Sequence, residues 1–278
     1  MNRAQRSELA RQTVEIIERG SYTAPSGRII DISHDMRRCL ETTQFFTPEQ
    51  FEHAAHDVRR RPVDRTVNLV EVANETTLAG VARLLALREG PVAALNFASA
   101  RNPGGGFLSG SQAQEESLAR SSGLYASLSR TWEFYERHRA SPSLLYSDAM
   151  ILSPNCPVFR DDSGSLLEEP QLVSFITSAA PNAGAVAENQ PEDLPRIPEV
   201  FRRRSEYVLA LAAAHGYKQL VLGAWGCGVF RNDPATVASA FVNHLRGAWR
   251  GRFDRVLFSV LDTSASQETL AAFQRAVG

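Results

Sequence analysis

The sequence predicts an α/β fold, a mixed sheet covered by helices on both faces in three layers, preceded by a mostly helical extension. Three observations carry this. From residue 66 onward, short apolar runs alternate with stretches of helical periodicity, as strand–helix units packed on one sheet require. The residues before that point lack the alternation and read as helical pieces around one short hairpin. Finally, 43% hydrophobic residues in a chain of 278 suffice for a sizeable core. The expected division is an extension over 1–62 and a core over 63–278, together one compact unit.

Taken in order, residues 6–19 carry Leu9, Val14, Ile16 and Ile17 at roughly helical spacing, and Gly20 supplies a stop. Residues 21–23 and 28–32 flank Ala24-Pro25-Ser26-Gly27, a turn composition, and form a hairpin. Thr47-Pro48-Glu49-Gln50 resembles a helix cap with Pro at the first helical position. The core then reads as strand 66–72, helix 76–89, strand 92–97, helix 112–128, helix 131–139, strands 149–153 and 172–178, helix 200–215, strand 219–222, helix 234–246, strand 255–261 and helix 267–277. Residues 181–198, rich in Pro, Asn and Glu, are the one long loop, and such loops are often functional or mobile.

Charge and cysteine usage narrow the partners. Thirty Lys and Arg against 31 Asp and Glu leave a net charge of −1, so no bulk attraction draws the chain to nucleic acid or an anionic membrane. A polyanionic ligand has to be held locally. Cys39, Cys156 and Cys227 are scattered, without a CxxC pair, which suits a reducing compartment and points to the cytoplasm. The N-terminal stretch is charged and lacks the apolar segment of a signal peptide, and no apolar run approaches the roughly 18 residues of a membrane span.

The richest stretch for chemistry is Asn96–Phe107, where an apolar strand runs into Gly104, Gly105 and Gly106. Three glycines let the backbone approach a ligand closely with N–H groups turned to its oxygens, although a triplet alone also fits a flexible turn. Next comes Ser111-Gln-Ala-Gln114-Glu115-Glu116. Ser-x-x-Gln is a capping box, and acids are favoured in a helix's first turn, so the stretch also reads as a plain helix start. The combination carries the functional reading: a glycine loop sits just before two adjacent carboxylates. Helix neighbours point about 100° apart, so one acid can face a scissile bond while the other grips sugar hydroxyls.

Gly-Gly-Gly, a short spacer and Gln-Glu-Glu, here GGGFLSGSQAQEE over 104–116, resembles the signature of the poly(ADP-ribose) glycohydrolases, and Asn102-Pro103 looks like the bacterial version. The resemblance covers most of the chain, helical extension included, and implies a macrodomain-like core. It implies hydrolysis of the ribose–ribose O-glycosidic bonds of poly(ADP-ribose), mainly from the end, releasing ADP-ribose, with no metal or nucleotide cofactor. ADP-ribosylated proteins would carry the substrate. By the same resemblance Glu116 is the catalytic acid, while Glu115 and Gln114 position the ribose and the adjoining loop, near Asn102.

A second constellation spans Gly223–Pro234, where a strand end passes through Gly226, Cys227, Gly228, Val229 and Phe230 to a helix start. Pro234 fits the first helical position with Asn232 or Asp233 as cap, so free N–H groups and the positive helix end have the form of a diphosphate cradle, a plain strand–turn–helix being the alternative. It resembles the phosphate loop of macrodomains, in which Val229 and Phe230 would contact the diphosphate and cover the distal ribose. Cys227 lacks a His or Asp partner in sequence and reads as a small buried thiol. Glu75 follows the first core strand, where macrodomains place an acidic contact to adenine; a helix-start acid is the equal alternative. Leu261-Asp262-Thr263 reads as a pocket rim or as a turn. The six histidines show no metal spacing, His53 and His56 included, and Arg59–Arg61 reads as a solvated helix end.

The implied chemistry is general acid–base hydrolysis through an oxocarbenium-like transition state, run by one acid with help from substrate hydroxyls. The alternatives are a macrodomain that only binds ADP-ribose groups, against which the paired acids count, and a hydrolase of single ADP-ribose units.

Overall fold

In the computed structural model, which describes residues 1–60, 62–63 and 68–278, the chain enters helix α1 (Arg3–Arg19) through a capping box. Asn2 Oδ1 accepts from the Gln5 N–H, and Gln5 Oε1 accepts from the Asn2 N–H. Ala10, Thr13 and Ile16 form its buried stripe, and Gly20 ends it in the left-handed region. Strands β1 (Ser21–Thr23) and β2 (Ile29–Asp31) pair antiparallel as the expected hairpin, and α2 (Ser33–Thr42) follows. Strand β3 (Gln44–Phe46) is too short to show a periodicity; distant pairing, not local pattern, makes it a strand. Helix α3 (Pro48–Arg60) then starts at the expected proline.

The core continues as β4 (Leu69–Ala73), α4 (Thr77–Ala86), β5 (Val92–Phe97), α5 (Gln114–Ser121), α6 (Leu124–Leu128), α7 (Trp132–Ala140), β6 (Met150–Arg160), β7 (Leu166–Ser178), α8 (Ala183–Asn189), α9 (Ile197–Ala214), β8 (Gln219–Leu222), α10 (Pro234–Arg246), β9 (Arg255–Ser259) and α11 (Glu268–Val277). Among the described residues the main sheet has seven strands in the order β3-β6-β7-β5-β8-β9-β4. β7, β5, β8, β9 and β4 run parallel, while β6 is antiparallel to both β3 and β7. Side chains alternate between two apolar layers, as strand geometry demands. On β5, Ala93 and Leu95 join Phe201, Trp225 and Phe241, whereas Val92 and Ala94 join Leu78, Leu118 and Phe134. The expected mixed sheet with helices on both faces is therefore what forms.

Several elements differ from the sequence expectation. The single helix over 112–128 is two, because Ser122 turns extended at φ −149° and ψ 176° and bridges Val158. The strands expected over 149–153 and 172–178 are the inner ends of the longer hairpin β6–β7, which keeps pairing out to Arg160 and Leu166. The loop over 181–198 is mostly helical: Asn182 caps α8, and Pro191 and Pro198 start helical turns rather than break them. The first strand of the core begins at Leu69; residues 66 and 67 lie outside the described residues, as does residue 61 of the arginine run. Arg59 of that run is paired, its Nη1 lying 2.6 Å from Glu206 Oε1 on α9.

Candidate active site

Helix α5 is not started by the capping box that Ser111 and Gln114 suggested. Its N-cap is Ala113, without a side-chain cap. Gln114 turns to the sheet instead. Its Oε1 accepts from the Phe97 N–H at 2.9 Å, and its Nε2 donates to Leu95 O at 2.7 Å and Thr77 Oγ1 at 3.1 Å. This straps the helix start to the carboxyl end of β5, so Gln114 fixes where the two following acids stand.

Glu115 points into the molecule and is 3% exposed. Its Oε2 accepts from the Ser99 N–H at 2.7 Å and its Oε1 from Asn96 Nδ2 at 3.2 Å; Asn96 also donates to Thr177 Oγ1. Burial pushes its carboxyl up to about 8, against the pull of the Ser99 and Asn96 donors and with a further push from Glu116. Glu116 is half-buried, and its Oε1 accepts from the Gly106 N–H at 3.0 Å. Although the two residues leave the helix in different directions, their long side chains converge under Gly105. A Cβ there would collide with Glu116 Oε1 and stand 3.2 Å from Glu115 Oε2, and Gly105 has φ +59°. The loop can cover both carboxylates only because residue 105 is glycine.

The loop itself is braced on all sides. Gly105 N–H donates to Asn102 O in a tight turn, and the exposed Asn102 takes its own N–H to Ser99 Oγ. Arg139 on α7 donates to Arg101 O beside it. Phe107 is buried against Tyr125, Ala10 and Ala119, and Arg120 reaches back from α5 to donate to Ser111 O at 2.7 Å.

The second glycine loop leaves the carboxyl end of β8, the parallel neighbour of β5, so both loops rise from adjacent strand ends. Trp225 anchors it, fully buried, with Nε1 donating to Ser178 O at 3.0 Å. Asn232 folds it over: Nδ2 donates to Gly226 O and Pro181 O, and its N–H also reaches Gly226 O. Asp233, not Asn232, is the cap of α10, accepting from the Thr236 N–H at 2.8 Å with Pro234 at the first helical position. Between these anchors a Cβ on Gly228 would meet nothing within 4 Å, and Val229 is 78% exposed. Phe230 lies 6.3 Å, ring to ring, from Tyr146. Cys227 is half-buried rather than buried as expected, because its loop stays partly open, and desolvation pushes its thiol up to about 12, away from the thiolate form.

Glu75 stands at the carboxyl end of β4, where its Oε1 accepts from Arg83 and, at 3.3 Å, from Ser259 Oγ. Asp262 gathers the Ser264, Thr269 and Leu270 N–H groups and so fastens α11. Among the described residues no three His, Cys, Asp or Glu side chains gather as a metal site, and no helix is long and apolar enough to cross a membrane.

The family model of the microbial-type PARG catalytic domain, PARG being poly(ADP-ribose) glycohydrolase, matches residues 10–161. The chain belongs to the microbial-type PARG family. The PARG from Thermomonospora curvata is 48% identical; its crystal structure superposes with a TM-score of 0.95 over 99% of this chain and 100% of that one. The same enzyme bound to the inhibitor ADP-HPD gives 0.92 over 98% and 99%. The Deinococcus radiodurans PARG in complex with ADP-ribose is 49% identical, with a TM-score of 0.82 over 87% of this chain and 96% of that one. No curated protein matches the sequence significantly. The chain thus has the macrodomain-like PARG fold and is a glycohydrolase acting on poly(ADP-ribose).

Several residues that brace the candidate site were not singled out from sequence. Asn96 carried a signal, a lone polar side chain in the apolar run Val92–Phe97 that had to find buried partners. Ser99, Thr77 and Thr177 carried none, since each works through a hydrogen bond set by tertiary approach. Tyr146, at φ +57° and packed between His138 and Phe230, is visible only in the folded chain.

Proposed function

We propose that Glu116 is the acid of this glycohydrolase and that it removes ADP-ribose units mainly from the polymer end. One observation carries the assignment. Of the two carboxylates under Gly105, Glu115 has both oxygens occupied inside the protein, whereas Glu116 is held by one oxygen on the Gly106 N–H. A group that must hand a proton to a substrate needs its second oxygen for that task.

In the cleavage, protonated Glu116 gives its proton to the leaving ribose oxygen as the glycosidic carbon–oxygen bond breaks. The resulting carboxylate faces the oxocarbenium charge, takes a proton from water, and the hydroxide formed adds to the anomeric carbon. Proton and charge balance, and Glu116 ends as it began. Glu115 holds the loop and the ribose in register from below. The diphosphate rests on the backbone of Gly226, Cys227 and Gly228 at the positive end of α10, with Val229 and Phe230 over the distal ribose. Glu75 flanks the adenine, and Asn102 with Gly104–Gly106 borders the distal ribose. The helical extension over 1–62 and the core over 63–278 act as one unit, in the cytoplasm, on ADP-ribosylated proteins.

The cradle is tested by Gly228→Val. Since a Cβ at this position meets nothing in the protein, the fold should tolerate the change while ligand approach is blocked. Calorimetric titration should show ADP-ribose affinity lowered about 10-fold or more, roughly 1.4 kcal/mol; unchanged affinity would remove the cradle from this loop.

A further inference from the structure

Helix α1 begins with two polar turns whose inward side chains are spent on one stretch of the site. Arg3 Nε donates to Ser109 O at 2.9 Å, Arg6 Nε to Gly110 O at 2.8 Å and Ser7 Oγ to Leu108 O at 2.7 Å. Residues 3, 6 and 7 share one helix face, continued by the buried Ala10 and by Thr13, whose Oγ1 donates to Arg120 O. Three consecutive carbonyls of the glycine-loop exit are therefore bound by one helix. The approach is close enough that a Cβ on Gly110, at φ +77°, would run into Arg3 O.

What lies on the other side of those carbonyls is the catalytic hydrogen bond. Residues 107–109 form one tight helical turn, and both the Ser109 and the Ser111 N–H return to Gly106 O. Gly106 in turn gives its N–H to Glu116. The path from α1 to the acid is thus a short run of hydrogen bonds through the backbone.

We propose that Arg3, Arg6 and Ser7 are positioning residues for the reaction, and that the first two turns of α1 clamp the glycine loop so that Gly106 stays on the Glu116 carboxylate. This rests on the assignment of Glu116 as the acid. Because misplacing a catalytic group by about 1 Å can cost up to about 100-fold, the clamp should show in kcat more than in binding.

The test uses the full chain with Arg3→Ala, Arg6→Ala and Ser7→Ala combined, the single Arg6→Ala, the conservative Arg6→Lys, and Arg11→Ala as control. Arg11 sits on the exposed face of the same helix, paired with Glu8 and Glu15. The combined variant should lose about 10- to 100-fold in kcat on poly(ADP-ribose), with KM and ADP-ribose affinity within about twofold. Amide exchange should quicken at Gly106 and Ser111. Arg6→Ala should show a smaller loss of the same kind, Arg6→Lys should recover part of it, and Arg11→Ala should change neither kcat nor exchange.

The clamp is refuted by an unchanged kcat in the combined variant, or by a loss of kcat matched by an equal loss of ADP-ribose affinity, while Arg11→Ala stays native in both. Should the combined variant not fold, Arg6→Ala against Arg6→Lys decides on the same readouts. Faster exchange at Gly106 is expected whichever glutamate gives the proton, so failure of the clamp and failure of the Glu116 assignment leave different traces.

Discussion

Glu115 is folded into the interior with its oxygens on the Asn96 amide and the Ser99 N–H, and burial pushes its carboxyl up to about 8 from an ordinary 4.5. Between these two values the folded protein keeps a proton that the unfolded chain releases, so stability falls as pH rises through that window and levels off above it. Glu115→Gln copies the neutral acid in size. Melting temperature followed from about pH 5 to about pH 8 should therefore decline for the native protein and stay flatter for the variant. Parallel curves would show that Glu115 is ionised in the fold already at the acid end. The same burial is what the proposed division of roles rests on, since Glu115 is sealed beneath the loop and Glu116 is only half-buried.

At the scale of elements, the site depends on where helices begin. Asp233 caps α10 through the Thr236 N–H and hydroxyl, at the foot of the second glycine loop. Asp233→Ala should cost about 1 kcal/mol, within a usual range of about 0.5–2, read as a lower denaturant midpoint at unchanged slope; no shift would mean that Pro234 alone fixes this helix start. That helix start was legible in the sequence because Pro before an apolar helical run is a local signal, although the cap itself stood open between Asn232 and Asp233. So were β5 and β8, whose bounds coincide with their apolar runs. The start of α5 was not. Ser111 and Gln114 spell a capping box, but the Leu95 and Phe97 backbone groups at the end of β5 take the Gln114 amide first. The break at Ser122 and the short β3 were hidden for the same reason, each being set by a partner strand far away in the chain.

Across the whole molecule, one buried ion pair ties the end of β7 to the segment before β6. Arg204 on α9 is wholly buried, donating to Asp148 Oδ1 at 2.8 Å and to the carbonyls of Ala179, Leu145 and Tyr146. This joins the end of β7 to the segment that carries Tyr146 against Phe230. Removing Asp148 leaves a buried guanidinium without its counter-charge, which typically costs about 3–5 kcal/mol. Asp148→Ala should lower the melting temperature by many degrees, and a loss under about 1 kcal/mol would show that water reaches the pair. The glycine and Gln-Glu-Glu pattern made the family readable from the chain. The interior ties were not, since nothing in the spacing of Asp148 and Arg204 marks them as partners.

The proposed role of Glu116 is tested most directly by single-turnover hydrolysis of labelled poly(ADP-ribose) by Glu116→Gln, alongside ADP-ribose binding by the same protein. The amide keeps the size of the side chain and can still accept from the Gly106 N–H, but it can neither give a carboxylic proton nor face a developing cation with charge. Turnover should fall by at least the roughly 10²- to 10⁴-fold typical of a lost general acid, with ADP-ribose affinity nearly unchanged. A folded Glu116→Gln protein that releases ADP-ribose from polymer at a near-native rate would contradict the account.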